Sequence, residues 1–527
     1  MSDASDAQEH VQRGVVSAVG SIGLATLASR VLGYVRDMVV ARAFGAGPIT
    51  DAFFVACRIP NLFRRLLAES ALSTAVVPVF TETLTREGPE AFGRLARAVT
   101  GSAMVVLCLV AGLGVLVAPL VVTAMAPGWR TDPELLALAV SLTRALFPYL
   151  VFVGLAALAM GALNAHHRFF TAAVGPAVLN LAMILAVMGL ASRLTTPIMS
   201  LAIGVLVGGL GQLLIQLPEL RRIGVPLRPS LEWRHPAVAR IARRLWPAVF
   251  ALAAVQITVV VNTLLASLLP TGTVSYLYYA DRVMEFPLGV FGIALATAAL
   301  PSMSAQAARR ELTALRSTLE FALRLSAFVA VPATVGLLLL GGPIVQVLFQ
   351  RGEFTAADAA LTAQALAGYA VGLPAFSATR IAAQTFYALG DTRTPVIVGL
   401  VSVAVNVVLA LVLMWPLRHI GLALASSLSS YVNVIGLCWL LHRRVGGPRG
   451  SEIWGSLGRT IVATAALALW CAWVEGLLPV FPEPVVPGLA RMMLALVGGV
   501  AVYVAMAAAI RAPELRALLG VLRARRR

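Results

Sequence analysis

The residues able to do chemistry are charged side chains set inside otherwise apolar stretches. The first group lies in the segment SRVLGYVRD and comprises Arg30, Arg36 and Asp37. The second begins with Asp51 in TDAFF and continues with Arg58, Pro60, Asn61, Arg64, Arg65 and Glu69. The third, in YYADRVMEFPLG, holds Asp281, Arg282, Glu285 and Pro287. A charge at the centre of a membrane helix costs about 2.5–3.5 kcal/mol on insertion scales, so these residues cannot all face lipid. They must face a polar cavity or one another.

Two chemistries compete. Arginine forks hold phosphate oxygens bidentately, which would make the set an anion site. The same arginines could instead neutralise local acids: Arg30 or Arg36 with Asp37, Arg58 with Asp51, Arg65 with Glu69, Arg282 with Glu285. Six arginines stand against five acids, so net charge does not choose between the two. Spacing does put them on shared faces. Asp51, Arg58 and Arg65 recur every seven residues, Glu69 follows Arg65 by four, and Asp281 and Glu285 are four apart. Pro60 and Pro287 each remove an interior helix hydrogen bond. Irregular backbone at membrane depth is stable only where it lines a cavity or protein, so the prolines mark the same places as the charges.

The elements that must position these groups are membrane helices. The chain has 527 residues, of which 59% are hydrophobic and only 12% charged; a soluble protein needs roughly a quarter charged residues to cover its surface. Apolar runs of about 20 residues match a bilayer core. Fourteen spans are predicted: 17–42, 52–80, 98–126, 138–163, 170–192, 196–218, 245–269, 274–303, 317–345, 358–388, 395–414, 419–441, 460–477 and 492–510. The fold class is therefore an all-α polytopic membrane protein with 14 transmembrane helices. The net charge is +17 and there is no lysine, so all of the positive charge is arginine. Seven arginines fall in 221–244 and six in 511–527, whereas the alternate loops hold only Arg130, Arg193, Arg351 and Arg418. That asymmetry places both termini in the cytoplasm and explains the basic balance without nucleic acid. Residues 1–16 read as a short polar cytoplasmic tail.

An internal repeat is present. ALSTAVVP at 71–78 resembles ALATAALP at 294–301, and NLAMILAV from Asn180 resembles NVVLALVL from Asn406. An offset of one lobe spans an even number of helices, which predicts two six-helix lobes of the same orientation with a binding site between them. The expected layout is 17–222 for the N-lobe (helices 1–6), 223–244 for a basic cytoplasmic linker, 245–444 for the C-lobe (helices 7–12), 445–510 for two further helices and 511–527 for a basic cytoplasmic tail.

Enzyme chemistry finds no support. Without lysine there is no P-loop for ATP. Cys57, Cys108, Cys438 and Cys471 are scattered in apolar segments, with neither a disulfide framework nor a zinc-site spacing. They read as small core residues. His166 and His167 read as loop solvation. A polymerase would need acids in a substantial outside domain; the outside loops are short, and Glu353 and Asp358 are a thin basis for such chemistry.

The motifs SRxLGxxRD, TDAFFVA, PNLxRRLxAE and YYADRxMEFPxGV resemble the MurJ (MviN) lipid II flippase family. That family lies within the multidrug/oligosaccharidyl-lipid/polysaccharide exporter superfamily. The resemblance covers about 17–510 and includes FTAxD at Phe354 to Asp358 and PYL at Pro148 to Leu150. It implies a transporter that carries undecaprenyl-diphosphate-linked peptidoglycan precursor from the inner to the outer leaflet of the cytoplasmic membrane by alternating access. It implies substrate-binding arginines at Arg30, Arg36, Arg64 and Arg282, acidic or polar cavity residues at Asp37, Asp51, Asn61, Glu69, Asp281 and Glu285, and a lipid-tail groove at 445–510. A sodium site would fall on Asn262 and Asn406, which have no carboxylate beside them. No cofactor is implied, and coupling would be to the membrane potential or to sodium. The expected partners are lipid II, membrane lipid and the cell-wall synthesis machinery, around a monomer. A flippase or exporter for another lipid-linked oligosaccharide or a drug is the alternative.

Overall fold

A computed structural model describes residues 26–65, 75–225, 229–230, 232, 236–446, 450–477 and 485–524. Every regular element among them is helical. The polar tail 1–16 and Glu69 lie outside the described residues.

The chain divides into two compact units, one ending at Thr271 and the other beginning at Gly272. The first holds α1 (residues 26–44), α2 (Pro48–Arg64), α3 (Val77–Met125), α4 (Pro133–Leu146), α5 (Tyr149–Ala165), α6 (Phe170–Leu190), α7 (Met199–Leu214), the short α8 (Leu217–Arg222) and α9 (Pro236–Ser267). The second holds α10 (Thr273–Pro287), a π-helical turn at Leu288–Ile293, α11 (Ala294–Ala308), α12 (Leu312–Phe349), α13 (Ala356–Ala370), α14 (Leu373–Ala388), α15 (Arg393–Val445), α16 (Gly450–Leu477), α17 (Val485–Ala509) and α18 (Pro513–Ala524).

Local signals explain where helices begin and bend. Asp132 accepts from the Leu135 amide and starts α4. Thr355 and Asp358 form a reciprocal capping box at the start of α13. Gly88, at φ 83°, bends α3 in a conformation that suits glycine. Arg418, at φ 50° and ψ −128°, breaks α15 into two limbs at the predicted boundary between 395–414 and 419–441.

Among the described residues, eight helical stretches are long and apolar enough to cross a membrane, with Pro133–Ala165 (α4 and α5) and Arg393–Val445 counted as one each. The pair α13 and α14, bent by 42°, makes a ninth if counted as one span. Leu113, Leu116 and Leu120 on α3, Met188 on α6 and Leu469 on α16 are largely exposed, as lipid-facing side chains should be. Inside the first unit Phe80, Phe92, Leu95, Leu150 and Leu163 form the core, joined by Leu220 and Val225. The second unit has one core around Ile381, Phe386 and Leu441 and another around Phe328, Leu467, Tyr503 and Leu515.

Several elements depart from the sequence expectation. The span 138–163 is interrupted between Leu146 and Tyr149, where Pro148 cannot donate. The span 274–303 is interrupted by the π turn that follows Pro287. By contrast α2 runs unbroken through Pro60. α9 starts at Pro236, inside the predicted linker, and packs on α3 in the first unit. Residues 513–524 of the predicted basic tail are helix. Cys471 is buried as expected, but Cys108 is exposed on α3.

Candidate functional site in each unit

In the first unit α1 and α2 carry the charged residues. Asp37 is almost fully buried. Arg36 donates to its Oδ1 through Nε at 3.0 Å and through Nη2 at 2.6 Å. The third donor, Nη1, reaches Asn180 Oδ1 on α6 at 3.0 Å. Asn180 Nδ2 in turn donates to the Ser29 carbonyl at 3.1 Å. Gly33 sits between these contacts, and a Cβ there would stand 3.5 Å from Asn180 Nδ2. One arginine thus ties α1 to α6 and neutralises the acid beside it.

On α2, Arg64 Nε donates to Asn61 Oδ1 at 2.9 Å, one turn back. Asp51 is buried near the start of the helix. Arg30 is exposed. Arg58 is half-buried on α2, two turns beyond Asp51.

In the second unit the site is built on α10. Arg282 donates to Glu285 Oε2 at 2.9 Å and to the Tyr278 hydroxyl at 3.1 Å. Its guanidinium also lies over the Tyr278 ring, 5.5 Å from the centroid. Both partners are one turn away on the same helix, and Pro287 and the π turn follow at once. Asp281 is half-buried beside them.

Some participants were not singled out from the sequence as site residues. Asn180 was noted only as a repeat position, and its role needs a fold that brings residue 180 to residue 36. Tyr278 was noted only as part of a motif. Arg380 was not noted at all; it lies exposed on α14, with Glu285 as its charged neighbour. An arginine inside a predicted span is itself a signal. The proposed sodium ligands fall in different units. Asn406 is buried and donates to Ser426 Oγ at 3.3 Å, while its Oδ1 has no hydrogen-bond partner among the described residues. Asn262 is half-buried on α9. His166, expected to solvate a loop, packs its ring edge-on against Phe92 at 4.8 Å.

The sequence profile of the family described as lipid II flippase MurJ matches residues 40–486. The chain belongs to that family. It is 40% identical over 427 residues to a probable lipid II flippase MurJ of Vibrio cholerae, covering 79% of this chain and 81% of the relative. It is 37% identical over 454 residues to the lipid II flippase MurJ of Burkholderia cenocepacia, covering 85% and 88%. Among solved structures, lipid II flippase MurJ in an inward closed conformation matches with a TM-score of 0.79 at 24% identity, over 93% of this chain and 98% of that one. An inward-facing multidrug MATE transporter of the MOP superfamily matches with a TM-score of 0.64 at 16% identity, over 79% and 94%. These two likenesses concern the fold. Members of the MurJ family are transporters, so this chain is a multi-pass membrane transporter and not an enzyme. The family profile match begins at residue 40, so Arg30, Arg36 and Asp37 lie ahead of it, in the SRxLGxxRD motif.

Proposed function

We propose that this chain moves lipid II, the undecaprenyl-diphosphate-linked peptidoglycan precursor, from the inner to the outer leaflet of the bacterial cytoplasmic membrane by alternating access. The observation that carries the reading is the set of arginines held inside membrane helices of a lipid II flippase family member: Arg36 on Asp37 and Asn180, Arg64 on Asn61, and Arg282 on Glu285 and Tyr278. Guanidinium forks suit a diphosphate, and a C55 tail can stay in lipid. Arg30, Arg36, Arg64 and Arg282 are the substrate contacts in this reading, with Asp37, Asp51, Asn61, Glu69, Asp281 and Glu285 shaping the polar surface around them.

The layout proposed for this activity is 14 helices, with two six-helix lobes, two further helices for the lipid tail and both termini cytoplasmic. With no P-loop, the energy comes from the membrane potential or a sodium gradient. A doubly anionic head feels about 2.3 kcal/mol per charge per 100 mV, and an inside-negative potential favours its export.

The test is growth of a strain depleted of its own lipid II flippase. The wild-type chain should restore growth and stop intracellular lipid II from accumulating. Membrane-inserted protein that does neither would overturn the reading and point to another lipid-linked oligosaccharide or a drug as cargo.

A further inference from the structure

The last helix described, α18, follows the membrane span α17 after the three residues Ile510, Arg511 and Ala512, with Arg511 at φ 54°. Its sequence, PELRALLGVLRA, mixes leucines and arginines at helical spacing. The helix docks by its first turn. Ala512 and Leu515 are buried in the core that includes Phe328 of α12 and Leu467 of α16. Glu514 is 2% exposed and accepts from Ser456 Oγ of α16 at 2.8 Å. Arg324 of α12 lies 3.9 Å from Glu514 and pairs with Glu452 at 2.9 Å. These contacts fix the roll of α18.

Two consequences follow. The apolar stripe that starts with buried Leu515 continues, three and four residues on, to Leu518 and Leu519, and both are exposed. Glu514 is the only acid among residues 511–527, and it is turned inward. What faces outward is an apolar stripe flanked by exposed Arg511 and Arg516, and the sequence goes on to Arg523, Arg525, Arg526 and Arg527. An amphipathic helix of this kind, one turn beyond the end of a membrane span, has the chemistry of a helix lying in the lipid head-group layer.

We propose that α18 is an anionic-phospholipid-binding element: Leu518 and Leu519 insert at the acyl boundary while Arg511 and Arg516 bind lipid phosphates. The charge complementarity decides the partner, because a face of leucine and arginine with no exposed acid fits a negatively charged lipid surface. The buried Glu514 is a positioning residue that holds the cationic side outward. The proposal does not depend on which lipid-linked cargo the protein moves.

The experiment is amide hydrogen exchange of residues 513–524 in the full chain. The protein is reconstituted in nanodiscs of phosphatidylcholine alone or with phosphatidylglycerol. Exchange should slow in the anionic discs by roughly fivefold for each engaged arginine, with α16 and α17 unchanged. The slowing should vanish in about 1 M salt, where the Debye length is about 3 Å. It should also vanish in the double variant Arg511→Gln, Arg516→Gln, whose changed side chains are exposed and leave the docked face intact. Equal exchange in both lipids, whether fast or slow, would overturn the proposal; equal protection would mean that a protein contact or charge-independent insertion covers the helix. A lipid effect that survives the double variant would overturn the role of the arginines.

Discussion

Arg36 and Arg282 are ion-paired arginines, one in each unit, and they are held in different ways. Arg36 is 14% exposed, sits on a buried acid and reaches across 144 residues to Asn180. Arg282 is 29% exposed, its acid Glu285 is 44% exposed, and both Glu285 and Tyr278 lie within one turn of it on its own helix. The first arginine is part of how the unit packs. The second is presented by a short helix that ends in a proline and a π turn. Loss of function at Arg36 therefore mixes folding with transport, whereas loss at Arg282 reports mainly on transport.

The largest effect that could break this contrast is expected at Arg36. Arg36→Ala removes both hydrogen bonds of the ion pair to the buried Asp37, a loss of roughly 3–5 kcal/mol for a buried pair. Membrane levels read by immunoblot should fall. Adding Asp37→Asn should restore the level but not growth in the depletion strain. If Arg36→Ala alone accumulates normally, Arg36 is no more structural than Arg282.

Arg282→Ala should give normal protein levels and at least roughly tenfold weaker transport, the scale of hydrogen bonds to a charged group. Pairing Arg282→Ala with Glu285→Gln should be equally inactive, because an exposed glutamate needs no neutralising. Growth of the double variant at matched levels would show that ion pairing was the whole role of Arg282.

Asn180→Ala sharpens the comparison from the other side. It removes the contacts to Arg36 and to the Ser29 carbonyl, at a cost of about 1–3 kcal/mol. The thermal midpoint of the purified protein should drop, and Arg36→Ala in that background should add less than it does alone. Full additivity would separate the two residues.

The smallest effect calibrates both pairs with an acid outside the membrane. Asp391 precedes α15 and accepts from the amide and hydroxyl of Thr394, with Arg444 as its ion-pair partner. These hydrogen bonds, then Arg444, hold its carboxyl down at about 2. A depressed acid stabilises above its unfolded value near 4 and loses that contribution as pH falls from about 4 to about 2. Asp391→Asn should cost about 1 kcal/mol, as for one capping acceptor, show no change between pH 5 and 8, and shallow the acid limb of a stability–pH curve. A variant as pH-dependent as the wild type would refute the assignment.

Composition, periodicity and motif chemistry were enough to establish a polytopic helical membrane protein, the family and which charges cannot face lipid. The reason is that a bilayer punishes single residues, so apolar runs and buried charges are legible one residue at a time. Even the bland pairings Arg36 with Asp37 and Arg282 with Glu285 were within reach, because both partners lie within a turn. The bend expected at Pro60 is not there, and α2 runs straight through it, since one missing donor does not set a bend. What only the tertiary structure decided are the contacts between distant segments: Asn180 on Arg36, α9 on α3, and the buried Glu514 that turns a basic tail into a docked helix. Those depend on which helices become neighbours, and neighbours are chosen by packing between surfaces that no single stretch of sequence contains.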